Sequence, residues 1–156
     1  MPMDGSLKLE NQLCFAVYAL SREITKMYRP FLEDLGLTYT QYLVMLCLWE
    51  EDGLTLKQVG TLLNLDSGTL TPVLKKMEKD GVIRRQRALY DERILVLRLT
   101  EDGAQLVDRA AEIPAKMRCR IPLSEERMAS LREELKDILL SMREPEASGE
   151  KVTFKQ

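Results

Sequence analysis

Histidine is absent from this chain of 156 residues, and cysteine occurs only three times. Without an imidazole, the sequence excludes serine-hydrolase triads, histidine zinc sites and imidazole acid–base chemistry. Three scattered cysteines are too few for a disulfide framework or a CxxC metal site, so we expect no cofactor and a reducing, cytoplasmic compartment. There is no apolar run long enough for a membrane span and no secretion signal, so we expect no membrane partner.

The composition that remains is typical of a folded domain. Hydrophobic residues make up 45% of the chain and charged residues 31%, which excludes wholesale disorder and collagen-like repeats. The formal net charge is -2, yet residues 53–100 carry nine basic and five acidic side chains. A basic excess of this size fits nucleic-acid binding and equally fits a solvated mixed-charge surface. The order of the predicted elements must therefore decide between them.

The first part of the chain predicts two long helices. Apolar residues recur every three or four positions from Leu9 to Leu35, which indicates an amphipathic helix. Pro30 is expected to kink this helix or to end its first section. Thr38 can cap a second helix that runs through Glu50 and is apolar nearly all round, so we expect it to lie in the core.

Two short helices around a tight turn follow. Thr55 with Gln58 three residues later forms a capping box for a helix over 56–63. A polar turn over 64–68 then leads to a helix that ends near Lys79. This is a helix-turn-helix arrangement.

A hairpin and two further helices complete the pattern. Pro72 lies either in the first turn of the second short helix or just beyond it, which the sequence leaves open. The runs 82–87 and 93–99 are rich in Ile, Val and Leu and predict two strands with an exposed tip. Thr100 and Ser124 are the caps of the last two helices.

A helix-turn-helix followed directly by a basic hairpin is the winged helix arrangement, so we predict a mainly α fold with a small β-hairpin wing. One helix of such a fold reads the major groove while the wing reaches the backbone or the minor groove. Hydroxyl and ammonium groups suit base edges and phosphates, and arginines on the wing suit phosphates. The candidate DNA-binding residues are Ser67, Thr69, Thr71, Lys75, Lys76, Arg84, Arg85, Arg87 and Arg93.

Long helices flank the basic centre, and one small chain has little to cover their apolar faces. We therefore expect a two-fold homodimer on double-stranded DNA, which doubles the base contacts. The predicted organisation is a dimerisation helix over 1–36, a winged helix-turn-helix over 37–100 and dimerisation helices over 101–143. A charged tail over 144–156 is expected to be disordered.

The chain resembles the MarR family of winged-helix regulators, and within it the organic hydroperoxide sensors. The resemblance rests mainly on the segments "NQLCF", "LDSGTLTP" and "DERILVLRLTEDG". It implies a dimeric repressor that leaves its operator when a cysteine is oxidised by an organic hydroperoxide. On the wing, Asp91 and Arg93 match the family's Asp-x-Arg pattern, in which the acid steadies an arginine that reaches the minor groove.

The resemblance implies that Cys14 is the sensing cysteine and that Tyr28 and Tyr39 hydrogen-bond to it. Phenol donors would stabilise the thiolate, the form that attacks a peroxide. Tyr28 follows Cys14 by 14 positions, which is roughly 21 Å along a straight helix. The two side chains therefore cannot touch within one helix, and the tyrosines would come from the partner subunit. The alternative is that Cys14 is a small buried core residue.

The resemblance also bears on the other two cysteines. Cys119, beside Arg118 and Arg120, resembles the resolving cysteine of sensors that form their own disulfide, whereas one-cysteine sensors use an external thiol. We expect an intersubunit Cys14–Cys119 disulfide, with an inert surface cysteine as the alternative. Cys47 is expected to be a core residue.

Two other functions compete with redox sensing. The first is a MarR-type repressor that a small phenolic or lipophilic ligand releases from DNA. The second is a thiol peroxidase, or a helical interaction protein that never binds DNA. The absence of histidine, and of an obvious arginine next to Cys14, argues against catalytic turnover and hence against an enzyme.

Overall fold

The computed structural model describes residues 5–143, so the tail expected over 144–156 lies outside the described residues. The chain divides into two compact units, Met1–Arg118 and Cys119–Gln156. The first unit contains helices α1 (Leu13–Glu33), α2 (Tyr39–Glu50), α3 (Leu56–Leu63), α4 (Ser67–Lys79), α5 (Glu101–Ala110) and α6 (Ile113–Arg118), and strands β1 (Ile83–Arg87) and β2 (Leu95–Leu99). The second contains helix α7 (Glu125–Ser141). The mainly helical fold with a hairpin confirms the predicted fold class.

Helix α1 begins four residues later than the apolar periodicity predicts. Two short 3₁₀ turns, Gly5–Leu7 and Leu9–Asn11, precede it, and the Asn11 side chain donates to the carbonyl of Gly5 at 2.7 Å. Pro30 lies inside α1, which continues for a further turn to Glu33. The proline removes one backbone donor but does not end the helix.

Helix α2 starts at a reciprocal cap. Thr38 accepts from the backbone N–H of Gln41 at 3.3 Å, and its own N–H donates to the Gln41 side chain at 2.8 Å. Tyr42 and Met45 are fully buried, as expected for a core helix. The expectation of burial nearly all round was too strong, because Leu46 is exposed.

The helix-turn-helix forms as predicted, with a shorter turn. Thr55 and Gln58 make the capping box of α3, and α3 ends at Asn64 in a left-handed conformation. Helix α4 begins at Ser67 because Asp66 caps it by accepting from the N–H of Thr69 at 2.8 Å. Pro72 is therefore the sixth helical residue, beyond the first turn.

The hairpin is antiparallel and is anchored to the helices beneath it. Its register pairs Ile83 with Leu99 at the base. The N–H of Leu97 donates to the carbonyl of Leu54 at 2.8 Å. Asp52, in the loop after α2, accepts from the N–H of Leu99 at 2.8 Å and from Arg98 at 3.3 Å. The base of the hairpin is therefore hydrogen-bonded to the segment that joins α2 to α3.

Helix α7, in the second unit, is capped by Ser124 as predicted and ends one residue before the expected Met142. It keeps an exposed apolar face that includes Leu131, Leu135 and Ile138. Within residues 5–143, no helix combines the length and the apolarity of a bilayer span.

Candidate functional site

Cys14 is the second residue of α1, and its thiol is free and exposed. The exposure contradicts the alternative of a buried core residue within this protomer. The first turn of a helix presents N–H groups that favour an anion. Exposed apolar side chains flank the thiol on the same helix, among them Leu13, Phe15 and Val17. The thiol is therefore accessible and lies on an apolar surface.

Tyr28 and Tyr39 lie together at the other end of α1. Their ring centroids are 4.9 Å apart, and the ring of Tyr42 lies 5.8 Å from that of Tyr28. Tyr28 comes from α1, and Tyr39 and Tyr42 from the first turns of α2, so the close α1–α2 packing builds this group. We call Tyr28, Tyr39 and Tyr42 the tyrosine cluster.

Burial keeps the phenols of the tyrosine cluster protonated. It raises the pKa of Tyr28 to about 12, with smaller contributions from the neighbouring Tyr39 and Tyr42. Burial also raises the pKa of Tyr39 and, with Tyr39 adding to the effect, the pKa of Tyr42. All three hydroxyls therefore remain hydrogen-bond donors at any physiological pH.

The geometry separates Cys14 from the tyrosine cluster within one protomer. Helix α1 is continuous from Leu13 to Glu33, and the 14 residues from Cys14 to Tyr28 span roughly 21 Å of it. A sulfur and a phenol at this separation cannot hydrogen-bond. Sulfur and phenols can form one site only if a second chain supplies one of them.

A groove runs along α1 beside the tyrosine cluster. Its volume is about 810 Å³, and its lining includes Arg22, Lys26, Arg29 and Tyr39. Arg29 is held by an ion pair with Glu33 at 2.8 Å. The groove is open and mixed in polarity, with more cations than a purely lipophilic site would need.

Arg22 and Tyr18 were not among the predicted site residues. Tyr18 lies one helical turn after Cys14, and its hydroxyl accepts a hydrogen bond from Arg22 at 3.0 Å. The i, i+4, i+8 spacing of Cys14, Tyr18 and Arg22 puts all three on one face of α1. That spacing was visible in the sequence, although Arg22 lies about 12 Å along the helix from Cys14 and does not adjoin the thiol.

The three predicted hydroxyl residues lie in the first turns of α4. Ser67 and Thr69 are exposed, and Thr71 is partly exposed. The Thr69 hydroxyl donates to Asp66 at 2.8 Å, and the Thr71 hydroxyl donates to the carbonyl of Ser67. Both threonine oxygens therefore keep only acceptor capacity, whereas the Ser67 hydroxyl makes no side-chain hydrogen bond within residues 5–143.

The two lysines of α4 differ in their partners. Lys76 forms an ion pair with Asp80, one turn later at the end of the helix. Lys75 is exposed on the same helix. Lys75 is thus the more available of the two for a phosphate.

The Arg85 side chain forms an ion pair within the fold and does not extend into solvent. Its side chain contacts the carboxylate of Glu78 at 2.7 and 2.8 Å, and its backbone N–H donates to the same carboxylate at 2.9 Å. These bonds hold the pKa of Glu78 below its usual value. The ion pair ties the wing to α4, while Arg84 and Arg87 remain exposed.

The tip of the wing is organised by Asp91. Its carboxylate accepts from the N–H of Arg93 at 2.9 Å and lies 3.8 Å from the guanidinium. The Arg93 side chain is 94% exposed, so Asp91 orients it without covering it. Leu89 and Tyr90, also at the tip, are fully and largely exposed, respectively.

The remaining cysteines have different surroundings. Cys47 is half-buried on α2, and burial followed by the nearby Glu50 raises the pKa of its thiol, so the expected core position is only partly realised. Cys119 is exposed at the start of the second unit. Residues 5–143 contain no cluster of three or more carboxylates and thiols suited to a metal ion.

Known proteins are similar to this chain in sequence and in fold. The family model for the transcriptional regulators SarA and Rot matches residues 26–110. An organic hydroperoxide resistance transcriptional regulator of Bacillus subtilis (strain 168) is 57% identical over 108 residues, which are 69% of this chain and 74% of that protein.

Two solved structures of AbfR, a protein of Staphylococcus epidermidis, are also similar. The reduced protein bound to DNA has a TM-score of 0.73 and 39% identity, with 86% of this chain and 94% of that chain covered. The disulfide form has a TM-score of 0.61 and 39% identity, with 88% and 93% covered.

Proposed function

Because this chain belongs to the MarR-like SarA/Rot family of winged-helix transcriptional regulators, we propose that it is a homodimeric repressor released from its operator by organic hydroperoxides. The family makes it a DNA-binding regulator and not an enzyme. The observation that carries the redox part is the separation between an exposed thiol, Cys14 near the start of α1, and the partly buried, protonated phenols of Tyr28 on α1 and Tyr39 on α2. Two antiparallel copies of α1 would bring each thiol to the phenols of the other chain.

Dimerisation would use the apolar surfaces that each unit leaves exposed. We assign residues 1–36 and 101–143 to the dimer interface, and residues 37–100 to DNA binding. The exposed Leu13, Phe15 and Val17 on α1, and Leu135 and Ile138 on α7, support this assignment. A symmetric dimer also presents two reading helices to adjacent turns of the duplex.

Oxidation would begin with the thiolate of Cys14. The sulfur attacks the outer oxygen of the hydroperoxide, an S–O bond forms and the O–O bond breaks. Sulfur is oxidised to a sulfenic acid, and the alkoxide leaves and takes up a proton to become an alcohol. The apolar side chains around Cys14 favour an alkyl or lipid hydroperoxide over hydrogen peroxide.

A second thiol would then complete the switch. Condensation of the sulfenic acid with Cys119 of the partner subunit forms a disulfide and releases water. An external thiol would give a mixed disulfide instead. The DNA-bound reduced form and the disulfide form of the relative AbfR support a switch of this kind.

DNA contact would come from α4 and the wing. We assign base and phosphate contacts to Ser67, Thr69, Thr71 and Lys75 on α4. On the wing, Arg84, Arg87 and Arg93 would neutralise phosphates, with Asp91 orienting Arg93. Arg85 and Lys76 would support these contacts indirectly, because their side chains form ion pairs with Glu78 and Asp80.

The test is release of DNA by hydroperoxide. Wild-type and Cys14→Ser proteins should bind a selected duplex equally when reduced, and cumene hydroperoxide should release only the wild type. Release of the serine variant at the wild-type rate would contradict the sensing role of Cys14. A non-reducing gel tests the second step, the formation of the intersubunit disulfide. A covalent dimer should appear when the wild-type protein is oxidised and should be absent when Cys119→Ser is oxidised.

A small-ligand trigger is the second candidate, and the groove beside Tyr39 favours it. Arg22, Lys26 and Arg29, with Glu23 and Glu33 beside them, line a volume of about 810 Å³, and a phenolic carboxylate is a ligand that these cations would pair with. Salicylate serves as the probe. Release of Cys14→Ser from DNA by salicylate, but not by cumene hydroperoxide, would favour this candidate over redox sensing.

A further inference from the structure

Trp49 is the only tryptophan in the chain, and its indole joins two parts of the first unit that are distant in sequence. It lies in the last turn of α2 and donates its Nε1–H to the carbonyl oxygen of Gly103 at 2.9 Å. The donor and the acceptor are 54 residues apart. This bond therefore links α2 to the first turn of α5.

Gly103 is itself held against the base of the wing. A Cβ at this position would overlap the carbonyl oxygen of Val82, so the backbones of α5 and of the residue preceding β1 are in direct contact. The N–H of Gly103 donates to the Thr100 hydroxyl at 3.0 Å, and that hydroxyl donates to the carbonyl of Gly81 at 2.6 Å.

Hydrogen bonds also connect this contact to the end of α4, the reading helix, which is the helix proposed to enter the major groove. The N–H of Val82 donates to the carbonyl of Met77 in the last turns of α4 at 3.1 Å. The N–H of Thr100 donates to Val82 in turn at 3.2 Å. A displacement of Gly103 relative to α2 would therefore move the end of α4 and the first residues of the wing together.

At its other side, Trp49 contacts the tyrosine cluster. Its ring lies edge-on to Tyr42 at 6.3 Å, and Tyr42 lies 5.8 Å from Tyr28. Tyr42 is only 2% exposed. Because protein interiors are close-packed, a buried ring cannot tilt without displacing its neighbours.

We infer that Trp49 is a positioning residue that couples the state of the tyrosine cluster to the placement of the wing and reading helix. The inference rests on the proposed redox function. When Cys14 is oxidised, the phenol of Tyr28 loses its thiolate acceptor and repacks. Tyr42 transfers the change to the Trp49 ring, and the indole hydrogen bond transfers it to Gly103.

A purely structural role would have a simpler consequence. The Trp49 side chain is partly buried, and in a purely structural role the loss of its hydrogen bond would weaken the fold equally in both oxidation states. Coupling instead requires that loss of the bond change the ratio of the DNA affinities in the reduced and oxidised states. The two roles therefore predict different results for one variant.

The variant is Trp49→Phe, which keeps an aromatic ring beside Tyr42 and removes the donor to Gly103. Binding to a duplex selected from a random library by the reduced wild type is measured before and after cumene hydroperoxide. Allosteric coupling is worth about 5- to 150-fold in affinity, and we expect the variant to lose most of that ratio. Its reduced affinity and its rate of Cys14 oxidation should stay within about threefold of wild type. Tyr90→Phe, which alters an exposed aromatic residue outside this set of contacts, is the control and should retain the full ratio.

The second measurement needs no aromatic substitution. Tryptophan emission of the full wild-type chain comes from Trp49 alone, so hydroperoxide should shift its wavelength or intensity in wild type and leave Cys14→Ser unchanged. Wild-type protein that releases DNA with constant emission would overturn the inference and leave the proposed function intact. A Trp49→Phe protein that loses affinity equally in both states would also overturn it. Wild-type protein that keeps its DNA after oxidation would remove the proposed function and this inference with it.

Discussion

Replacement of Tyr28 by phenylalanine should slow the oxidation of Cys14 without disturbing the fold. The variant keeps the ring that packs 4.9 Å from Tyr39 and removes only the hydroxyl. A hydrogen bond to a charged group is worth roughly 1.5–3 kcal/mol, and about 1.4 kcal/mol corresponds to a factor of ten in rate. We therefore expect Tyr28→Phe to react with cumene hydroperoxide at least about tenfold more slowly at pH 7.

The dependence of this effect on pH follows from the phenol. The pKa of Tyr28 is raised to about 12, so the neutral form that donates is the one present throughout the ordinary range. The phenol is therefore able to donate its hydrogen bond throughout the range from about pH 6 to 9. It stops donating only in strong alkali, as the pH rises towards the raised pKa.

The assay is rapid quenching with dimedone, followed by mass spectrometry of the peptide that contains Cys14. Tyr90→Phe is the control, because Tyr90 is an exposed tyrosine at the wing tip and its hydroxyl should not affect the rate. The double variant Tyr28→Phe, Tyr39→Phe should be slower than either single variant. Oxidation of Tyr28→Phe within twofold of the wild-type rate would refute the role of the phenol.

Three further predictions concern the wing and the helices that contact it. Glu78→Gln removes the ion pair with Arg85. Because both groups are partly exposed, we expect the free energy of unfolding to fall by about 1 kcal/mol, or the unfolding midpoint by about 2–4 °C. The control, Glu92→Gln, should change neither quantity. Because the folded-state pKa of Glu78 is lowered, this contribution is complete above the usual glutamate pKa and disappears as the pH falls through the lowered value; a wild-type advantage that persists in strong acid would contradict it. Gly103→Ala forces a Cβ into the carbonyl of Val82 and should cost at least about 3 kcal/mol in urea unfolding, while Gly5→Ala, which meets nothing within 4 Å, should be neutral. Arg93→Gln should reduce the slope of log affinity against log salt by about one, whereas Arg85→Gln should leave the slope unchanged; equal slopes for wild type and Arg93→Gln would exclude a phosphate contact by Arg93.

Local chemistry explains why most of the elements could be predicted from the sequence. The caps at Thr38, Thr55, Thr100 and Ser124 are all present, because a cap is decided within four residues. The start of α4 was misjudged because Asp66, which caps it, was assigned to the turn. The late start of α1 has a similar origin, since apolar periodicity continues through residues that form 3₁₀ turns.

Long-range pairs could not be predicted in the same way. The bond from Trp49 to Gly103 and the ion pair of Arg85 with Glu78 depend on how helices and hairpin pack, which spacing alone does not encode. Arg85 therefore looked like one more basic residue of the wing. Tyr28 and Tyr39 were chosen through the family resemblance, and their proximity follows from the packing of α1 against α2.

The central claim is that the thiol and the phenols of one redox site come from different chains. Mixed dimers test it most directly, with one chain carrying Cys14→Ser and the other carrying Tyr28→Phe and Tyr39→Phe, purified through two different tags. If the site crosses the interface, the remaining Cys14 faces the two intact tyrosines of the serine chain and should oxidise at the wild-type rate. If Cys14 in the mixed dimer oxidises as slowly as in the Tyr28→Phe, Tyr39→Phe homodimer, the shared site is contradicted.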